Sequence, residues 1–258
     1  MKPYILSIVL ILATACHSFE PFTFVQMSDT QIGFIDESPA FAHSDSLMKA
    51  AVDAANALNP AYVFITGDLV DNPDDPIQDS IYKTRLAELQ APVYEVLGNH
   101  DRRDFGFHFS FQDRGCAFIG IDSNCIKDGA IEAEKAQMEW LTNELDAAAR
   151  CRYTFIFLHC PVVRESVEEP EDYFNFSNGQ RAQYISLFKE KGVDVVFAGH
   201  THQDYDTTID GIRFVAAGPV GNALGHGTPG YNIVTVWRDT LSITYTPTPG
   251  IDPTGCRY

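Results

Sequence analysis

The chain has 258 residues, of which 45% are hydrophobic and 21% are charged. This composition supports a sizeable core and excludes a largely disordered chain. The 35 acidic residues outnumber the 18 basic ones, and the formal net charge of −17 argues against a nucleic-acid partner because phosphate backbones would be repelled. The length fits one α/β domain or two small ones.

The first residues resemble a bacterial lipoprotein signal. A basic start at Met1-Lys2 precedes an apolar run over residues 4–15, which is too short to span a bilayer comfortably. The run ends in the small residues Ala13-Thr14-Ala15, directly before Cys16. We expect cleavage before Cys16 and lipidation of its side chain. The alternative is an ordinary cleaved signal peptide with an incidental cysteine.

This resemblance implies three segments. Residues 1–15 would be the lipoprotein signal peptide, residues 16–21 a lipidated tether, and residues 22–258 the folded domain. Acyl chains on Cys16 would anchor the protein in a lipid membrane. No run of acidic residues that might mark surface display follows Cys16, so we expect a protein of the bacterial cell envelope whose domain faces the periplasm.

Short apolar runs alternate with amphipathic stretches along the rest of the chain. The runs predict buried strands at 22–27, 61–66, 92–97, 107–111, 116–121, 153–158, 193–198, 212–217, 231–237 and 241–246. The amphipathic stretches predict helices at 44–58, 76–89, 133–149 and 178–191, the last with Asn178 as its N-cap and Gly192 at its C-terminal stop.

The order of these elements predicts the fold class. The early part alternates strand and helix, which favours a parallel sheet, whereas the last strands follow one another through hairpin turns. A four-layer α/β/β/α sandwich, with two mixed sheets flanked by helices, accommodates both patterns in one α/β domain. In such sheets, functional residues collect after the carboxyl ends of the strands.

Five polar clusters follow five of the predicted strands. They are Ser28-Asp29-Thr30-Gln31, Gly67-Asp68-Leu69-Val70-Asp71-Asn72, Gly98-Asn99-His100-Asp101, Leu158-His159-Cys160-Pro161 and Gly199-His200-Thr201-His202. Carboxylate, amide and imidazole groups are ligands for hard or borderline divalent metals. One such cluster would indicate little more than turn chemistry, but five clusters at strand ends predict a metal site.

Spacing within the clusters supports this interpretation. Residues two apart in an extended segment face the same way, so Asp29 with Gln31, and His200 with His202, can each present two groups to one pocket. Glycines precede Asp68, Asn99 and His200, where they allow the backbone to turn tightly. The five cysteines after Cys16 include no Cys-x-x-Cys pair, so the sequence indicates no zinc–sulfur site.

The series of clusters resembles the calcineurin-like metallophosphoesterase family. The family signature is Asp-x-His/Gln, Gly-Asp-x-x-Asp/Asn, Gly-Asn-His-Asp/Glu, a lone His and Gly-His-x-His, in this order. The stretch Tyr173-Phe174-Asn175-Phe176-Ser177, and the glycine-rich stretch over residues 218–225, resemble the subfamily of calcineurin-like phosphoesterase domain-containing serine/threonine phosphatases. Residues 22–258 are therefore expected to form a metallophosphoesterase domain.

The family pattern implies a site for two divalent metal ions. Seven side chains would hold them: Asp29, Gln31 and His202 on the first ion, Asn99, His159 and His200 on the second, and Asp68 bridging both. Gln31 stands where many members have His, and an oxygen ligand there shifts the preference toward manganese, magnesium or iron. The identity of the ions, among manganese, iron, magnesium and zinc, stays open.

Residues next to the ligand candidates are candidates for catalysis and substrate binding. His100 is the expected proton donor to the leaving oxygen, and Asp71 would orient it and favour its protonated form. Arg102, Arg103 and His226 are weaker candidates for contacts with the substrate. Tyr173-Phe174 would form an apolar wall beside the site or pack in the core.

The expected function is metal-dependent hydrolysis of a phosphate monoester, by an enzyme of the serine/threonine phosphatase type. Its partner would be a small phosphorylated substrate or a phosphoprotein. The first alternative is a phosphodiesterase or pyrophosphatase that acts on nucleotides, since the same metal core supports both. The alternative from another class is a non-catalytic metal-binding scaffold.

Overall fold

A computed structural model describes residues 19–102, 106, 109–225 and 227–251. It contains eleven strands and five α-helices in these ranges. The strands are β1 (Phe22–Met27), β2 (Tyr62–Thr66), β3 (Val93–Val96), β4 (Phe109–Asp113), β5 (Cys116–Gly120), β6 (Tyr153–Phe157), β7 (Val195–Ala198), β8 (Tyr205–Ile209), β9 (Ile212–Ala216), β10 (Gly230–Val236) and β11 (Leu241–Pro247). The helices are α1 (Ala42–Ala57), α2 (Pro76–Ala87), α3 (Ser123–Lys127), α4 (Ile131–Ala147) and α5 (Asn178–Lys191), and a short 3-10 helix (Pro39–Phe41) precedes α1.

The strands form two mixed sheets, as the sequence predicts. The five-stranded sheet has the order β11-β10-β1-β2-β3, and the six-stranded sheet has the order β4-β5-β6-β7-β9-β8. Strands β1, β2 and β3 pair in parallel, as do β5, β6, β7 and β9. Antiparallel strands complete both sheets, with β10 and β11 beside β1, β4 beside β5, and β8 beside β9.

The two sheets pack face to face through an aromatic core. Phe24 on β1 lies 5.3 to 6.2 Å from five other phenylalanine rings, measured between ring centroids, including Phe64 of its own sheet and Phe155 of the other. Helices α1 and α2 cover the outer face of the first sheet, where Met48 and Val52 pack with its strand residues. Helices α4 and α5 cover the second sheet. The predicted four-layer α/β/β/α sandwich is therefore confirmed.

The element boundaries depart from the prediction in a few places. Strand β8 was not predicted, because its sequence Tyr-Asp-Thr-Thr-Ile is polar and it forms the edge of its sheet. Helix α3 is only five residues long, too short for a periodic pattern. Asn178 is not the N-cap of α5: Ser177 caps it in a reciprocal capping box with Gln180. Gly192 ends the helix in the left-handed conformation, as predicted.

The topology brings the polar loops together. Strands β1, β2 and β3 are parallel to one another, as are β6 and β7, so within each sheet the loops that follow these strands leave from the same edge. Hydrogen bonds and ion pairs between these loops show that the two edges meet. Within the described ranges, no helix combines the length and the hydrophobicity that crossing a bilayer requires.

Candidate metal centre

The loops after β1 and β2 run side by side beyond the ends of the strands. The amide of Asp29 donates to the carbonyl of Gly67 at 3.0 Å, and the amide of Gln31 donates to the carbonyl of Asp68 at 2.8 Å. This continued pairing holds Asp29, Gln31 and Asp68 next to one another while their side chains leave the sheet. All three residues are buried.

Five of the seven predicted ligands have a left-handed backbone. Their φ angles are 49° at Asp29, 32° at Gln31, 50° at Asp68, 69° at His200 and 52° at His202. Non-glycine residues adopt this region rarely, and such strain concentrates at functional sites. The surrounding loops therefore impose a conformation that turns these side chains toward a common centre.

Glycines allow the loops to approach the ligands closely. A Cβ atom on Gly98 would collide with the carboxylate of Asp68, and one on Gly199 would collide with the side chain of Ser28. Neither position therefore accepts a larger residue without displacement of the site. The sequence predicts that the glycines before Asn99 and His200 allow tight backbone turns. The structure adds a steric reason, since a side chain at either position would collide with residues of the site.

Three histidines share one arrangement. In each, one ring nitrogen lies within hydrogen-bond distance of a backbone carbonyl: His159 Nδ1 to Thr66 at 2.7 Å, His202 Nδ1 to Asn222 at 2.7 Å, and His200 Nε2 to Tyr173 at 3.1 Å. A carbonyl only accepts, so that nitrogen carries the proton. In a neutral ring the other nitrogen then has a free lone pair, the arrangement typical of metal-binding histidines.

Side chains predicted for the second ion converge. Asp68, His159 and His200 are buried, and their potential ligand atoms lie within 4.8 Å of one another. His159 Nε2 lies 3.2 Å from Asp68 Oδ2, 3.1 Å from His200 Nδ1 and 3.1 Å from Asn99 Oδ1. One cation could therefore contact a carboxylate, an amide oxygen and two imidazoles at this point.

The side chains predicted for the first ion adjoin this group. His202 Nε2 lies 3.5 Å from Asp29 Oδ1, and the backbone amide of His200 donates to Asp29 Oδ2 at 2.9 Å. Gln31 Oε1 is buried and has no hydrogen-bond partner among the described residues. A buried carbonyl oxygen without a partner is costly, so this atom fits a cation ligand.

The electrostatics of the site also fit a cation. Burial alone would raise the pKa of Asp68, but the charge and hydrogen bond of His159, together with the backbone amide and charge of His100, hold that pKa well below its usual range. Burial likewise works against a charged His159, yet the attraction of Asp68 raises the pKa of His159 to about 9. Burial raises the pKa of Asp29. Two buried carboxylates thus require positive charge, which divalent cations held by these oxygen and nitrogen atoms would supply.

Comparison with known proteins agrees with this geometry. The family model for calcineurin-like phosphoesterases matches residues 22–204, which is most of the chain. The chain belongs to the calcineurin-like phosphoesterase family. Among its curated relatives is the serine/threonine-protein phosphatase CPPED1 of Danio rerio, 30% identical, with 87% of this chain and 84% of the relative covered.

Two further comparisons extend this result. A probable cyclic nucleotide phosphodiesterase of Rhodopseudomonas palustris is 26% identical, with 76% of this chain and 81% of the relative covered. A solved dimetal phosphatase from Danio rerio shares the fold with a TM-score of 0.70 at 15% identity, covering 87% of this chain and 95% of that structure. The phosphoesterase family and the calcineurin-like fold predicted from the sequence are confirmed.

The structure of this phosphoesterase places the two predicted catalytic residues together. His100 Nδ1 lies 3.2 Å from Asp71 Oδ1 and 3.1 Å from the backbone carbonyl of Asp71. The hydrogen bond with the Asp71 carboxylate raises the pKa of His100 to about 9. The backbone amide of His100 donates to Asp68 Oδ1 at 2.9 Å, which fixes the backbone of His100 beside the metal centre. About a third of the His100 side chain is exposed, as a group that meets a substrate requires.

The weaker substrate candidates are not brought into this cluster. The guanidinium of Arg102 donates to the carbonyl of Pro73 at 3.3 Å and to Asp74 Oδ1 at 3.4 Å, which places it on the neighbouring loop. Arg103 and His226 lie outside the described residues. So do Cys16, the signal segment 1–15 and residues 16–18 of the tether.

Three further residues support the site in roles that the sequence did not predict. Asp101 is buried, and its carboxylate accepts hydrogen bonds from the backbone amides of Leu69 at 2.9 Å and Gly98 at 2.8 Å. These bonds tie the loop after β2 to the loop after β3. The carbonyl of Asn222 orients His202, and its side-chain oxygen lies 3.1 Å from His43 Nε2. His43 therefore supports the site through Asn222. Sequence signals pointed to two of them: Asp101 stands in the Gly-Asn-His-Asp cluster, and Asn222 stands in the glycine-rich stretch over residues 218–225.

Proposed function

We propose that this protein is a phosphomonoesterase that depends on two divalent metal ions. The observation that carries the proposal is the convergence of a buried ligand set, with its unpartnered Gln31 oxygen, beside the His100–Asp71 pair. The relatives named serine/threonine-protein phosphatase, which match 87% of the chain, support the monoester assignment. A phosphorylated small molecule or a phosphoprotein is then the substrate.

Seven side chains would hold the ions, in the order that the family pattern implies. Asp29, Gln31 and His202 would hold the first, Asn99, His159 and His200 the second, and Asp68 both. When bound, such ions supply Lewis acidity that lowers the pKa of a water molecule and offsets phosphoryl charge. The chain itself fixes the ligands in place through backbone contacts to Thr66, Asn222 and Tyr173.

His100 would donate the proton to the leaving oxygen. Its Nδ1 proton is held by Asp71, whose side chain and carbonyl are both acceptors, so Nε2 is the nitrogen left to transfer a proton. The raised pKa of about 9 keeps the ring protonated near neutral pH, the state that a general acid needs.

A second candidate function is hydrolysis of nucleotide diesters or pyrophosphates. The similarity to a probable cyclic nucleotide phosphodiesterase over 76% of the chain favours it. A non-catalytic scaffold is disfavoured because every ligand position carries a competent side chain and His100 is present.

Comparison of two model substrates tests the proposed function. We expect the purified protein, stripped of metal and reloaded with Mn²⁺, to hydrolyse p-nitrophenyl phosphate faster than bis(p-nitrophenyl) phosphate. Preference for the diester would favour the nucleotide alternative. Failure on both substrates with the metals in place would favour the scaffold.

We also propose that the protein is a lipoprotein tethered through Cys16 to a membrane of the bacterial envelope. The apolar segment that ends in Ala13-Thr14-Ala15 before Cys16 supports this assignment. In a bacterial host we expect the wild type to fractionate with membranes and to carry an acylated N-terminal peptide in mass spectrometry. Cys16→Ser should remove the acylation and release the protein, and an unmodified Cys16 in the wild type would refute the tether.

A further inference from the structure

The segment between β6 and α5, residues 161–177, is built on a buried charged framework. Arg181 of α5 is fully buried and donates to the carbonyls of Val167 and Glu169, both at 2.7 Å, and of Phe176 at 3.2 Å. A buried guanidinium is tolerated only when it is well paired, so these bonds hold the segment in one conformation.

A second set of bonds reinforces the segment. The carboxylate of Glu169 accepts the backbone amides of Arg164 at 3.1 Å and Glu165 at 2.7 Å, and the side-chain amide of Asn175 at 2.7 Å. Asn175 and Phe176 are fully buried. The segment is thus rigid immediately beside the two residues that precede Asn175.

Those two residues present aromatic rings at the metal centre. Tyr173 is 58% exposed, and its ring lies 4.7 Å from that of His200, measured between centroids. The ring of Phe174 lies 5.4 Å from His200 and stands edge-on to Tyr173 at 5.0 Å. Tyr173 is exposed and Phe174 is half-buried. Aromatic rings held on a rigid support cost little further ordering when they bind a ligand.

Tyr173 is also joined to two predicted ligands of the second ion. Its hydroxyl accepts from Asn99 Nδ2 at 2.9 Å, and its carbonyl contacts His200 Nε2 at 3.1 Å. Two predicted ligands of the second ion, Asn99 and His200, therefore also fix the position of the Tyr173 ring relative to the site.

Two cationic side chains beside this surface are already engaged in hydrogen bonds. Arg164 lies over the ring of Phe174 at 6.0 Å but donates to Asp172 at 2.7 Å. Lys127 donates to the carbonyls of Asp172 and Asn175. In a chain with a net charge of −17, this surface favours an apolar group over a second phosphate or carboxylate.

We propose that Tyr173 and Phe174 bind the organic group of the substrate and select phosphomonoesters whose ester carries an aromatic ring. This specificity rests on the proposed phosphomonoesterase function. It differs from what the names of the relatives indicate, because the serine and threonine alcohols carry no ring. The ring could belong to a free aryl phosphate or to a phosphorylated tyrosine within a peptide.

Binding of two phosphonates tests the proposal without turnover. We expect the Mn²⁺-loaded protein to bind phenylphosphonate about five- to tenfold more tightly than methylphosphonate in calorimetry, the gain that one aromatic contact provides. Tyr173→Ala and Phe174→Ala should each reduce this ratio. Tyr173→Phe should retain it, because the ring remains while the hydroxyl bond to Asn99 is lost.

Kinetics and a control complete the test. The ratio of kcat/KM for phenyl phosphate to that for glycerol 2-phosphate should fall in Tyr173→Ala by a similar factor. Trp237→Ala, an exposed aromatic next to the start of β1 and far from the site, should leave both ratios unchanged. A tyrosine-phosphorylated peptide that exceeds phenyl phosphate would identify the peptide source, and the reverse order would identify the free ester.

Two outcomes would overturn the proposal, and a third would separate it from the proposed phosphomonoesterase function. The first is equal affinity of the wild type for phenylphosphonate and methylphosphonate. The second is an equal loss of affinity for both phosphonates in Tyr173→Ala. Either result would show that the aromatic pair only supports Asn99 and His200. A phenylphosphonate preference without any hydrolysis would preserve the ring-binding surface and refute the phosphomonoesterase function alone.

Discussion

Replacement of Asp68 by alanine should remove both metal ions and, with them, phosphatase turnover. Asp68 is buried between the two predicted ligand groups, 3.2 Å from His159 Nε2 and bonded to the amide of His100. Residues that merely support a ligand cost up to about a hundredfold in metal affinity when they are mutated. A ligand shared by both ions should therefore cost at least that much.

Elemental analysis and p-nitrophenyl phosphate hydrolysis would measure the effect of Asp68→Ala directly. Asp74→Ala is a matched control, because Asp74 lies on the same loop and its side chain is 87% exposed. We expect the control to keep its metal and its activity. A full metal content in Asp68→Ala would contradict the bridging role.

Replacement of His100 by alanine should abolish most turnover and leave the metal content unchanged. General acid catalysis contributes about 10²- to 10⁴-fold, and no predicted metal ligand is lost in this variant. The loss should be larger for glycerol 2-phosphate than for p-nitrophenyl phosphate, because a poor leaving group needs the proton more. Equal turnover in His100→Ala and the wild type, or loss of metal, would exclude the proton-donor role.

The pH dependence of kcat in an Asp71 variant provides an independent test of His100 as the proton donor. The hydrogen bond that His100 donates to Asp71 raises the pKa of His100 to about 9, so the protonated donor is lost as the pH rises through that value. Asp71→Asn removes this stabilisation of the charged ring. The alkaline limb of kcat should therefore move to lower pH in Asp71→Asn, and an unmoved limb would show that His100 is not the titrating acid.

Much of the fold was predictable because local patterns and topology agree. Apolar runs such as that of β2 are followed directly by ligand candidates, and parallel pairing makes neighbouring strand ends coincide. The clustering of polar loops could therefore be predicted from sequence order, whereas the assignment of individual ligands to two ions came from the resemblance to the family. For Tyr173 and Phe174 the sequence left two alternatives, an apolar wall beside the site or packing in the core. Only the packing around His200 decides between them.

The remaining features depend on contacts between distant residues. The bond between Tyr173 and Asn99 joins positions 74 residues apart, and that between Asn222 and His43 joins positions 179 residues apart. No periodicity or spacing reports such a pair. The N-cap of α5 failed for a different reason: Ser177 and Asn178 are both good caps, and the reciprocal bond to Gln180 selects the serine.

The central claim is that this chain holds two metal ions at the buried cluster and needs them for phosphate ester hydrolysis. Titration of the chelator-stripped protein with Mn²⁺, with bound metal and p-nitrophenyl phosphate hydrolysis measured at each step, tests it most directly. The account predicts that binding ends at two ions per chain and that activity reaches its maximum there. Full activity in the metal-free protein, or binding that ends without activity, would contradict it.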